Sequence, residues 1–237
     1  MKRLTEAVLR AAKSGAPYIV GLAGSVAAGK STLALRLATD WRAAGRRVEI
    51  VSTDGFLYPN ATLIERHLLV RKGFPESYDA TAFAAFLAAI RDGKPAAVPI
   101  YSHQTYDVLE AAPRDVPAAD IVIVEGINAL QPTFTARKLD VAIYLDATEG
   151  DLFRWYYARG MQLREAAKVD PTSYFVRYLA LSEAAWDKQL RAFWVEINLP
   201  NLRLHILPTR ALADFVLRKN SDHAITVVVA HPHKEQA

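Results

Sequence analysis

Residues 24–32 read Gly-Ser-Val-Ala-Ala-Gly-Lys-Ser-Thr, a run whose residue types and spacing can hold a polyphosphate. Gly24 and Gly29 let the backbone turn tightly, so that the N–H groups of Ser25, Val26, Ala27, Ala28 and Gly29 can face phosphate oxygens. The amides of Lys30, Ser31 and Thr32 open a helix, whose N-terminal dipole adds positive charge at the same spot. Lys30 can reach the β and γ phosphates, and the Ser31 hydroxyl can ligate Mg²⁺. An apolar strand, Tyr18-Ile19-Val20-Gly21-Leu22, precedes the run, and the helical pattern Leu33–Ala38 follows it. That context favours a nucleoside triphosphate site over an ordinary glycine-rich turn.

Other chemistry clusters just beyond apolar runs. Ser52-Thr53-Asp54-Gly55-Phe56 follows the run at Val48–Val51, and Glu125-Gly126 follows Ile121–Val124. Open α/β sheets bind ligands at the carboxyl ends of their strands. Asp54 is therefore placed to accept a proton from a hydroxyl that attacks the γ-phosphate, although an Asp-Gly turn is the ordinary alternative. Glu125 is placed to hold Mg²⁺ directly or through water; a solvated strand-end acid is its alternative. Tyr101-Ser102-His103 and Tyr106-Asp107 add donors and acceptors, and His103 taken alone reads as a hydrogen-bonded histidine. Arg154, Arg159 and Arg164 recur every five residues, which rotates successive side chains by about 140° on a helix. One or two of them can face phosphates from a lid, with the others solvated.

The elements that must position these groups alternate between strand and helix patterns, so the reading is α/β with a parallel sheet. Strands are expected at Tyr18–Leu22, Val48–Val51, Ile121–Val124, Val141–Leu145, Leu204–Leu207, Phe215–Leu217 and Ile225–Val229. Helices are expected over Ser31–Ala44, Thr81–Arg91, Asp151–Ala167 and Glu183–Asn198, the last ended by Pro200. Residues 93–117, with four prolines and little periodicity, read as a long functional loop. A chain of 237 residues suits one domain, 1–237, with a substrate loop at 93–117 and a helical lid around 149–203.

Composition narrows the partners. The 29 basic and 25 acidic residues leave +4, and the basic residues form no stripe, which excludes a nucleic-acid reading. No stretch approaches the roughly 18 apolar residues of a membrane helix. Residues 1–15 form an amphipathic helical pattern rather than a secretory signal, and the absence of cysteine fits a reducing cytoplasm.

With the phosphate loop, Thr53–Phe56, Lys72-Gly73-Phe74-Pro75-Glu76-Ser77-Tyr78-Asp79, Pro99–His103 and Glu125-Gly126-Ile127-Asn128 in order, the chain resembles bacterial type I pantothenate kinases. The likeness runs on through Trp155-Tyr156, Arg159, Asp170–Phe175, Glu196-Ile197-Asn198 and Ile206–Arg210, over roughly residues 17–229. The resemblance implies a P-loop kinase fold, with a mostly parallel sheet and helices on both faces, related to uridine kinase and phosphoribulokinase. It implies transfer of the γ-phosphoryl of ATP, with Mg²⁺, to the primary hydroxyl of pantothenate, opening coenzyme A synthesis in the cytoplasm as a homodimer. By position, Asp54 is the base, and Lys30 and Arg159 serve transfer. Tyr101, His103, Tyr156, Arg159, Tyr178 and Asn198 surround the acceptor, Ser31 and Glu125 hold the metal, and His223 lies near the adenine.

Three departures keep another acceptor open, such as a nucleoside or a sugar phosphate. Gly160, Leu163 and Lys168 stand where the family carries aromatic side chains around the pantothenate tail. Leu35 replaces an arginine associated with coenzyme A feedback, and the segment the family places ahead of its first strand is largely missing before Tyr18. A regulatory nucleotide switch is a third reading; the lack of an N-K-x-D guanine-reading motif weighs against it.

Overall fold

The computed structural model describes residues 2–12, 16–135 and 138–230. Its central sheet has six strands: β1 (Tyr18–Gly24), β2 (Val48–Ser52), β5 (Ile121–Glu125), β6 (Val141–Asp146), β7 (Phe215–Lys219) and β8 (Ile225–Ala230). β3 (Ala96–Ser102) and β4 (Asp107–Val116) form a separate two-stranded sheet. The order in the large sheet is β2-β5-β1-β6-β7-β8; every neighbouring pair is parallel except β7 with β8.

Both faces of the sheet are covered, and the strands show it. Along β5, Ile121 and Ile123 join one core while Val122 and Val124 join the other. A strand buried on both sides needs continuous apolar residues, as β5 has. The first core takes Leu4 and Val8 from α1 (Lys2–Ala11) and Leu33, Leu37 and Trp41 from α2 (Lys30–Ala43). The short α3 (Asn60–Glu65) follows β2, and α4 (Ala80–Arg91) sets Phe83, Phe86 and Leu87 into the second core beside Phe134 of α5 (Pro132–Thr135). A third core of Ala167, Phe175, Trp186 and Leu190 joins α6 (Glu149–Ala166), a tight turn at Tyr174–Tyr178 and α7 (Glu183–Phe193).

Three expectations are corrected. Leu204–Leu207 is not a strand: it lies in a π-helical turn, Leu202–Ile206, and the tight helix that follows. Four apolar-rich residues carry too little period to separate strand from helix. Pro200 does not end the helical run: Asn198, Leu199 and Leu202 keep right-handed helical dihedrals around it, and π-helical turns, Trp194–Asn198 and Leu202–Ile206, flank it where the regular hydrogen-bond ladder is already broken. Residues 93–117 are no irregular loop; most of them form the β3–β4 hairpin. Pro99 sits where the register shifts between Val98 and Ile100, so its missing N–H removes no ladder bond there.

Candidate active site

The parallel register brings the ends of three strands together. Ser52 and Leu22 both pair with Glu125, so β2 and β1 flank the carboxylate that closes β5. The chain then passes from β1 through the phosphate loop into α2. Gly29 caps α2 in the left-handed region (φ 96°), a conformation that glycine adopts without steric cost. Lys30 Nζ donates to the Ser25 carbonyl oxygen at 2.9 Å, and Ser31 Oγ donates to Glu125 Oε1 at 3.0 Å.

Asp54 comes off the end of β2, its amide donating to Ser52 Oγ at 3.3 Å. Its neighbour Thr53 is buried against Gly126: a Cβ on Gly126 would fall inside Thr53 Oγ1 and 2.8 Å from Thr53 Cβ. That close approach is what sets the Asp54 turn beside the Glu125 strand end. Tyr78 donates its hydroxyl to Asp54 Oδ1 at 3.2 Å. Burial, with the Asp54 charge adding to it, holds the Tyr78 phenol well above its ordinary range, so it remains a donor at any physiological pH.

Charges concentrate between these elements. Burial pushes the Lys30 ammonium pKa down, Glu125 and Asp54 push it up, and Arg159 lowers it further. Burial and the nearby Asp54 raise Glu125 above the usual carboxylate value, against the pull of Lys30, Ser31 and Ser52. Glu125, Asp54 and Arg159 thus all lie near Lys30, and Asp54 lies near Glu125. Among the described residues no carboxylate pairs with Arg159. Two cations beside two carboxylates suit a phosphoryl group passing between them.

Aromatic rings gather near these charges. Tyr101 meets His103 edge-on (5.2 Å), and Tyr106 stacks on Tyr174 at 4.8 Å. The protein around the His103 imidazole pushes its pKa below the ordinary value; Asp54 opposes this and Arg159 adds to it. Tyr156 packs on Trp194, with Asn198 beside its hydroxyl, and Tyr178 packs on Trp186 at 4.8 Å. Asn198 itself lies in a π-helical turn, Trp194–Asn198, and donates to the Phe193 carbonyl oxygen at 2.9 Å. Such turns re-aim a side chain that a regular helix would point elsewhere. Tyr101 and His103 thus lie within electrostatic reach of Asp54, and His103 also of Arg159, while Tyr156 neighbours Tyr106, Asn198 and Tyr178.

The other two arginines of α6 go elsewhere. Arg154 pairs with Asp151, and Arg164 ties α6 to the Tyr178 and Leu181 carbonyl oxygens. His223, exposed in the β7–β8 turn, stacks on Trp155 at 5.0 Å. Leu35 lies exposed on α2. Two functional groups escaped the reading of individual residues: Tyr78, the partner of Asp54, and Lys72. The Lys72 ammonium donates to Asn60 Oδ1 (2.7 Å) and the Tyr106 carbonyl oxygen (2.6 Å), and lies 5.0 Å from the Tyr101 ring. Both belong to the Lys72–Asp79 segment, whose length and specificity were the available signal. Asn128 and Asn201 pin that segment by donating to the Gly73 carbonyl oxygen at 3.1 and 3.0 Å.

The sheet order, the loop between β1 and α2, and the paired carboxylates define a P-loop kinase. The model of the phosphoribulokinase/uridine kinase family matches residues 19–170. A pantothenate kinase of Parvibaculum lavamentivorans is 45% identical over 96% of this chain and 74% of its own length. One from Sorangium cellulosum is 46% identical over 96% of this chain and 77% of its length. Among solved structures, a candidate fructose transport system kinase from Silicibacter superposes with a TM-score of 0.70, at 26% identity over 85% of this chain and 91% of that one. A D-glycerate 3-kinase of Cryptococcus neoformans shares the fold at a TM-score of 0.67 and 14% identity, over 95% and 97% of the two chains. The chain belongs to the phosphoribulokinase/uridine kinase family, on its pantothenate kinase branch.

Proposed function

We propose that this protein transfers the γ-phosphoryl of ATP to the primary hydroxyl of pantothenate, the opening step of coenzyme A synthesis. The observation that supports the reading is Asp54, which lies within electrostatic reach of Lys30 and Glu125 and also of Tyr101 and His103. The kinship with pantothenate kinases supports the choice of acceptor.

The acceptor hydroxyl lies against Asp54, which takes its proton as the oxygen attacks the γ-phosphorus. The new O–P bond forms while the bond to the β-phosphate oxygen breaks, and ADP departs. Lys30 and Arg159 offset the charge on the moving group, and Tyr78 orients the Asp54 carboxylate. His223 lies at the adenine end. Ser31 and Glu125 suit Mg²⁺: both offer hard oxygens, already 3.0 Å apart. Among the described residues no trio of His, Cys, Asp or Glu could hold a metal unaided, so nucleotide oxygens and water would complete the coordination. The ion would neutralise charge on the β and γ oxygens. A homodimer acting in the cytoplasm is the setting that the family resemblance supports; among the described residues no helix is long and apolar enough to cross a membrane.

One observation favours a second reading, a kinase of another small hydroxyl compound. A Cβ on Gly160 would meet Leu190 Cδ2 at 2.5 Å and Cδ1 at 3.0 Å. Leu190 thus fills the space where an aromatic residue at position 160 would stand. Leu190 is buried in the core between α6 and α7, so this glycine–leucine contact lets the helix that carries Tyr156 and Arg159 lie closer to α7 than an aromatic residue at 160 would. Measuring ADP release with pantothenate, nucleosides, sugar phosphates and glycerate decides between the readings. Turnover of pantothenate at micromolar KM supports the first. Turnover of another acceptor alone replaces it with the second, and no turnover with any of them overturns both.

A further inference from the structure

β7 delivers a lysine, not used above, to the rim of the phosphate loop. Lys219 Nζ donates to the Ala28 carbonyl oxygen at 2.8 Å, and a Cβ on Gly29 would sit 3.0 Å from it. On its other side the ammonium lies 4.0 Å from the centroid of the Trp155 ring, which stacks in turn on His223. Loop carbonyl, ammonium, indole and imidazole form one continuous row, running from the phosphate cradle to the β7–β8 turn.

Among the described residues the charge of Lys219 has no acidic partner: it forms no ion pair, and burial alone moves its pKa, downward, with no acidic neighbour offsetting it. The other half-buried lysines of the site, Lys30 and Lys72, both feel Asp54, along with Glu125 and Asp107 respectively. An ammonium has three donors, and Ala28 takes one. Removing a cation from water without an opposite charge is costly, and the indole face returns only part of the loss. An anion at the adjoining loop meets that need, and the ligand this loop is built for is a polyphosphate.

We infer that Lys219 is a nucleotide-positioning residue, its ammonium bridging the Ala28 carbonyl oxygen and the polyphosphate of the bound nucleotide. The inference rests on the nucleotide reading of the loop and extends it to a second cation, contributed by a strand 189 positions beyond Lys30 in the chain. A rival role is mechanical: Lys219 could splint the loop through Ala28 with its charge irrelevant. Glutamine separates the two, because its amide still donates to a carbonyl but carries no charge.

The test is calorimetric titration of ADP into wild type, K219A, K219Q and K219R, with steady-state kinetics alongside. K219A and K219Q are expected to weaken ADP binding about tenfold, and K219R to stay within about threefold of wild type. The KM for ATP rises in parallel, while kcat and the KM for the acceptor change by less than about threefold. Salt weakens ADP binding less in K219Q than in wild type. Should K219A fail to fold, K219Q against K219R carries the comparison. Wild-type affinity in K219Q, or loss in K219R equal to that in K219Q, overturns the role given to Lys219. Wild-type protein that binds no ADP overturns the nucleotide reading itself, and this inference with it.

Discussion

Replacing Gly126 by alanine tests whether close contact between two strand ends sets the reactive geometry. The new methyl would coincide with Thr53 Oγ1 and stand 2.8 Å from Thr53 Cβ. Thr53 is 1% exposed, so its side chain has no free space into which to rotate. Relief comes when the turn after β2 moves away from β5, carrying Asp54 with it. Overpacking of this kind costs about 1–3 kcal/mol. For a chain of this size each kcal/mol lowers Tm by about 2–4 °C, which gives a fall of roughly 2–12 °C. Displacing Asp54 by about 1 Å costs on the order of 100-fold in kcat, because phosphoryl transfer depends on placement. Thermal melting and steady-state turnover read the two effects. Adding Thr53→Ala removes the worst overlap and should restore part of both. Gly126→Ala with unchanged Tm and turnover would refute the argument that this contact positions Asp54.

Two further outcomes follow from the same geometry. The raised pKa of Glu125 means that the folded protein holds its proton more tightly than the unfolded chain does. As pH climbs from 4.5 through the folded value, the unfolded state releases its proton first and wild-type stability falls. Glu125→Gln lacks this contribution, so its Tm relative to wild type should be higher at pH 7 than at pH 4; the opposite trend in melting curves contradicts the assignment. Ser31→Ala should raise the Mg²⁺ concentration for half-maximal turnover about tenfold and leave metal-free ADP binding within about twofold, as measured by titrating the metal in the kinase assay.

Much of the sheet could be read before any coordinates, for a physical reason. β1, β5 and β6 are buried on both faces, so their apolar runs are continuous and bounded by turn residues. The phosphate loop needs glycine and lysine at set spacings within one short segment, and local patterns of that kind survive in a single sequence. The failures came where context outweighed local pattern. Leu204–Leu207 has no period of its own, and Pro99 reads as a strand breaker until its partner strand shows that it stands at a register shift. Arg154, Arg159 and Arg164 look alike in the chain; only packing brings Arg159 near Lys30 and ties Arg154 to Asp151 and Arg164 to the Tyr178 carbonyl. Tyr78 reaches Asp54 from 24 residues away, a meeting that no spacing rule foretells. The Gly160–Leu190 contact is another such case: glycine on one helix is explained by the leucine of the next.

Asp54 as the proton acceptor is the point on which the chemistry turns, and Asp54→Asn isolates it with little change of shape. The decisive measurement is a single-turnover assay of phosphoryl transfer, run beside equilibrium binding of ATP to the same variant. Binding within about threefold of wild type, with transfer slowed on the order of 100- to 10,000-fold, is the predicted result. Transfer at a near wild-type rate would contradict it.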